Sequence, residues 1–158
     1  MKLRILLGPL LAIGLALVPA TAWAKGARDV SVKGPGLAEP IALDGAAAQP
    51  MIEASGFYTS VFHQSGSEVL AARPRGTLGP RYVATYGWLV AENRTKPLRQ
   101  VLYPFAEGGA LTYTQPRQRV SDRTEPFKGG WYRAGQPLTD LLVSLGVPAP
   151  SKRAAQRS

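Results

Sequence analysis

The chain has 158 residues, with 19 Lys and Arg against 10 Asp and Glu, one His and no Cys, for a net charge of +9. That length suits one domain with tails; the missing Cys excludes thiol nucleophiles, disulfide scaffolds and cysteine-based metal sites, and the single His excludes any site needing two imidazoles. Hydrophobic residues at 45% allow a packed core, while 17 Gly and 14 Pro predict short elements joined by many turns.

Residues 1–24 read as an export signal. Lys2 and Arg4 supply the positive start, an apolar run follows from Ile5 to Val18, and Ala22-Trp23-Ala24 puts small residues at −1 and −3 of a cleavage point before Lys25. The run falls short of the roughly 20 residues that span a bilayer. An uncleaved anchor is the alternative. No Cys follows the run, so lipid attachment at a lipobox is excluded. Cleavage removes Lys2, Arg4 and no acid, which lowers the charge from +9 to +7. The exported form is expected to carry no transmembrane span, and Arg outnumbers Lys 13 to 6 in an Ala-, Gly- and Pro-rich background, as in GC-rich bacterial genomes.

After a loose basic start, residues 29–33 alternate polar and apolar side chains as a half-buried strand does, and Gly34-Pro35-Gly36 ends them. Residues 39–44 read as a second short strand, paired with the first in a hairpin. Pro50 to Phe62 reads as a helix, with Pro50 in the first turn and Met51, Ala54, Tyr58, Val61 and Phe62 near one face. Residues 63–79 read as a long loop. Arg81 to Ala91 is the clearest strand; both of its faces are largely apolar, which predicts a central strand covered on two sides. A polar turn at 92–96 leads to a strand from Pro97 to Phe105. Glu107-Gly108-Gly109 then makes a tight turn into a third strand, Ala110 to Thr114, closed by Pro116. These three strands are expected to form an antiparallel meander.

Residues 117–130 are polar and charged, and Trp131 reads as a core aromatic. Pro137 opens the last helix, where Leu138, Leu141, Leu142 and Leu145 stand at i, i+3, i+4 and i+7, and Gly146 with Pro148 closes it. The composite is an α+β fold: a small antiparallel β-sheet with a mid-chain helix and a C-terminal helix packed on it. The domain is expected to cover 25–148. Residues 149–158, with Lys152, Arg153 and Arg157 and almost nothing to bury, are expected to form a disordered basic tail.

Catalytic motifs are sparse. His63 has Ser60, Ser65 and Ser67 close by, but no Gly-x-Ser-x-Gly elbow frames them. Glu107 is the carboxylate to examine as an acid, because it follows Tyr103-Pro104-Phe105 at an aromatic-rich turn. No pattern of ligands points to a metal, and no motif points to a cofactor.

The distinctive surface feature is arginine. Arg81, Arg99, Arg117 and Arg119, with Tyr103 and Tyr113, are the binding candidates, since guanidinium forks hold phosphate or carboxylate and aromatic rings add stacking. The partners expected are an anionic envelope polymer, a lipid headgroup or an acidic protein. Charge for solubility is the competing explanation of the same residues. Nucleic acid is disfavoured, because export separates the protein from it. The preferred reading is a secreted or envelope-associated, non-catalytic protein; the alternatives are an envelope-directed hydrolase and an accessory or inhibitor subunit of another exported protein.

Residues 33–41 (KGPGLAEPI), 78–86 (LGPRYVATY), 102–114 (LYPFAEGGALTYT) and 129–133 (GGWYR) resemble a group of small exported actinobacterial proteins without established activity. The resemblance rests on Tyr103, Pro104, Gly108, Gly109 and Trp131. It implies export and a shared fold, and it supplies no catalytic residue.

Overall fold

The structure, a computed structural model, describes residues 26–62, 64–66, 68–91 and 94–150. Residues 1–25 (which include the expected export signal), His63 and residues 151–158 of the expected basic tail lie outside the described residues. In chain order the elements are β1 (Ala27–Lys33), β2 (Ile41–Asp44), α1 (Gly45–Ala54), α2 (Phe57–Val61), β3 (Val69–Leu70), β4 (Tyr82–Ala91), β5 (Arg94–Tyr103), β6 (Leu111–Thr114), β7 (Gly130–Arg133) and α3 (Gln136–Ser144). The strands form one seven-stranded sheet in the order β2-β1-β4-β5-β6-β7-β3, antiparallel at every pairing. The fold is therefore α+β, and both the expected hairpin and the expected meander are present.

The mid-chain helix differs from its sequence reading. It starts at Gly45 rather than Pro50, because Ala46-Ala47-Ala48 are strong helix formers directly after Asp44. Pro50 is consequently inside α1, where its missing N–H leaves the Ala46 carbonyl to solvent, a tolerable loss on an exposed face. Gly56 then takes a left-handed φ of +63° and splits the expected helix in two: its N–H donates to the Glu53 carbonyl to close α1, and it serves as the N-cap of α2. The long loop also holds two-residue β3, which pairs with β7, itself absent from the sequence reading. At the C-terminal helix, Val147 N–H donates to the Leu142 carbonyl and Gly146 N–H to that of Val143, the paired bonds of a Schellman cap.

All three helices lie on one side of the sheet. Side chains alternate along a strand, and the inward set comprises Val30 and Val32 of β1, Tyr82, Ala84, Tyr86 and Trp88 of β4, and Leu98 and Leu102 of β5. These form one buried cluster with Met51 and Ile52 of α1, Phe57 and Val61 of α2, and Leu138 and Leu142 of α3. β4 is thus interior to the sheet, but helices cover one of its faces instead of both. The Phe57 ring stacks on that of Tyr86 at 3.8 Å.

A polar network is buried in this layer. Tyr86 donates its hydroxyl proton to Gln100 Oε1 at 2.9 Å and lies 2.8 Å from Ser55 Oγ. Gln100 Nε2 faces the Ser55 carbonyl, Thr112 Oγ1 and Thr114 Oγ1, each at 3.2 Å. Thr112 Oγ1 donates to the Ser55 carbonyl at 3.1 Å. Among the described residues no buried side-chain nitrogen or oxygen lacks a partner. The network ties the end of α1 to β4, β5 and β6, and because Gln100 is anchored inward, its neighbour Arg99 is fixed outward.

Candidate functional site

The face opposite the helices is built by strand register. Lys33, Val83, Val101, Tyr113, Trp131 and Leu70 are paired in one row across six strands, a width of about 24 Å at the usual strand spacing. The next row holds Tyr103, Leu111 and Arg133. Tyr103 and Trp131 stand two strands and one row apart, about 12 Å at the backbone. Their ring centroids nevertheless come within 5.6 Å, with planes 25° apart, and Tyr113 lies 4.9 Å from Trp131. The side chains therefore lean together over the strand between them. That closure explains why Leu111 is only 3% exposed on a face without a helix. The three rings remain half-buried. Trp131 is thus no core aromatic; the buried member of the Trp131-Tyr132 pair is Tyr132.

Arginines rim the rings. Arg99 points from β5 onto this face. Arg81 immediately precedes β4 at the Tyr103 end, since its neighbour Tyr82 pairs with Leu102. Arg117 and Arg119 belong to the loop after β6, and Gln118 between them fastens that loop to β5. Arg99 N–H donates to Gln118 Oε1 at 2.6 Å, and Gln118 Nε2 donates to the Arg99 carbonyl at 2.7 Å. One side-chain amide thus continues the β5 ladder beyond the end of β6. Gln118 carried no signal in the sequence, because only the folded register shows which backbone it meets. All four arginines are exposed and, among the described residues, none is in an ion pair; Lys96 and Asp122 do pair, at 3.6 Å. Negative charge sits at the far edge, where Asp29 pairs in register with Asp44 and lays its carboxylate against Gly87. Of the six binding candidates, Tyr103, Tyr113 and Arg99 share this face, Arg81 flanks it, and the segment bearing Arg117 and Arg119 is bolted to its Arg99 end.

Glu107 has a structural partner. Its carboxylate accepts the Thr77 N–H at 3.1 Å and its own N–H donates to the Thr77 carbonyl at 2.8 Å, clamping the β5–β6 turn to the loop before β4. His63 lies outside the described residues. An open groove of about 580 Å³ runs between α1 and the start of α3; Glu53, Glu68 and Arg133 are its charged lining residues. The Arg133 guanidinium donates to the Gly108 carbonyl at 3.3 Å. Among the described residues, no three His, Asp or Glu side chains converge as metal ligands, and no helix is long and apolar enough to cross a membrane. No family model, curated protein or solved structure matches the chain.

Proposed function

We propose that the exported chain is a non-catalytic protein, secreted or associated with the cell envelope, that binds an anionic envelope component through the open sheet face. One observation carries the reading: Tyr103, Trp131 and Tyr113 form a continuous aromatic strip on the face opposite the helices, flanked by exposed arginines that have no carboxylate partner among the described residues. Unpaired guanidinium groups keep their donors for phosphate or carboxylate oxygens, which they hold in bidentate fashion. The rings offer apolar area to the uncharged parts of the same ligand. A face about 24 Å wide suits an extended polymer better than a single headgroup. The Gln100 network and the Gln118 clamp hold the backbone of Arg99 in place, so less ordering is left for binding. Residues 1–24 support the location, by their export-signal pattern.

The test is titration of residues 25–158 with two polymer probes, polygalacturonate and a glycerol-phosphate polymer, at low and high salt, with neutral dextran as control. Binding to at least one polyanion that weakens steeply with salt is the expected result. Equal binding to dextran, or none to either polyanion at low salt, contradicts the reading. The groove gives the hydrolase alternative a specific test. Hydrolytic activity on envelope material that is lost in Glu53→Gln or Glu68→Gln, with folding intact, would put an enzyme in place of the binding module.

A further inference from the structure

Arg117 is, among the described residues, the one non-glycine residue with a positive φ, at +68°. It follows Pro116 in a turn over residues 115–118. Proline at the second position and positive φ at the third define a turn whose third position favours Gly or Asn, because a Cβ there meets the backbone. An arginine at that position carries strain that glycine would avoid.

The surroundings impose this conformation on whichever residue occupies the position. Arg117 N–H donates to the Phe127 carbonyl at 3.0 Å. The Gln118 side chain bonds both backbone groups of Arg99. Gly129 packs its backbone so closely on the turn that a Cβ would stand 2.5 Å from Pro116 N. The fold thus fixes a left-handed residue at 117, and its side chain is exposed. Glycine would serve the fold better, yet the chain carries an arginine without an ion-pair partner among the described residues.

We infer that Arg117 is a ligand-contacting residue of the sheet face, held in a strained turn that presents its guanidinium at the Arg99 end of the aromatic strip. The ligand group is an anionic oxygen of the bound polymer, phosphate or carboxylate, which a guanidinium holds in bidentate fashion. This assignment rests on the proposed binding of a polyanion by that face.

The experiment compares wild type with Arg117→Gly, Arg117→Ala, Arg117→Lys and Arg99→Ala, by thermal melting and by affinity for whichever of the two polymers wild type binds. Arg117→Gly should melt above Arg117→Ala, since only glycine releases the strain. Both should lose roughly tenfold in affinity, as Arg99→Ala does, and Arg117→Lys should recover part of it. Arg117→Gly binding as tightly as wild type, while Arg99→Ala is weakened, overturns the inference and leaves the binding face standing. Arg117→Gly melting below Arg117→Ala removes the strain argument. Failure of wild type to bind either polymer overturns the binding-face reading, and this inference with it.

Discussion

Gln100 sits where the two sides of the sheet meet. Its amide is buried and bonded to Tyr86, Ser55, Thr112 and Thr114, while the preceding residue, Arg99, faces the opposite side. Gln100→Leu keeps the volume but strips partners from several buried polar groups, and should cost about 1–3 kcal/mol in urea denaturation. An unchanged midpoint would show that the network adds no net stability. Burial also drives the Tyr86 phenol well above its ordinary titration range, with the Ser55 hydrogen bond pulling slightly the other way; burial raises Tyr82 and Tyr132 as well. The fold holds these phenols neutral, whereas the unfolded chain ionises near pH 10. Their stabilisation is complete below about pH 10 and is lost as pH rises toward the folded-state values. Urea midpoints should therefore fall progressively above about pH 10. Tyr86→Phe should show a shallower fall than wild type, and equal slopes would remove Tyr86 as the main contributor.

Among the elements, α3 rests on few residues. Leu138 and Leu142 are fully buried and Leu141 is partly so. Leu142→Ala should cost about 2–5 kcal/mol, read as a lower thermal midpoint, whereas Val143→Ala on the exposed side of the helix should cost little. Equal effects would mean that α3 is packed by a different face. This helix was legible because its leucine stripe and its Gly146 stop are local signals. The three-strand meander was legible for a similar reason, its alternation and its Gly108-Gly109 turn lying within adjacent residues. β7 and β3 were not. Four and two residues long, they are strands only because β6 offers an edge to β7 and β7 offers one to β3, a pairing remote in sequence. The start of α1 differs from its sequence signal for another reason: Pro50 is a strong boundary signal, and the alanines before it outweigh it. On the open sheet face, Tyr103, Tyr113 and Arg99 are nominated by residue type. The central place of Trp131 and the clamp by Gln118 depend on register, which side-chain chemistry alone does not specify.

At the scale of the whole molecule the sheet divides the work between its sides. One side buries the helices and supplies the stability of a domain that has no Cys to cross-link. The other side carries rings, exposed arginines and, at its far edge, the Asp29 and Asp44 carboxylates. That asymmetry gives the basic residues a direction that composition alone lacks: Arg99 lies on β5, whereas on β1–β2 Lys33 is accompanied by the two carboxylates. Reversing charge at the acidic edge with Asp44→Lys should therefore raise the association rate for a polyanion at low salt and leave it nearly unchanged at high salt. A rate increase that persists at high salt would mean a local contact in place of steering.

The most direct test of the central claim is to locate the bound polymer by backbone amide and indole NMR shifts in residues 25–158 during titration. The largest changes are expected at Arg99, Tyr103, Tyr113, Arg117 and the Trp131 indole, with the amides of α3 unmoved. Changes confined to the groove residues Glu53, Thr59 and Glu68, or absent from the sheet face at saturation, would contradict it.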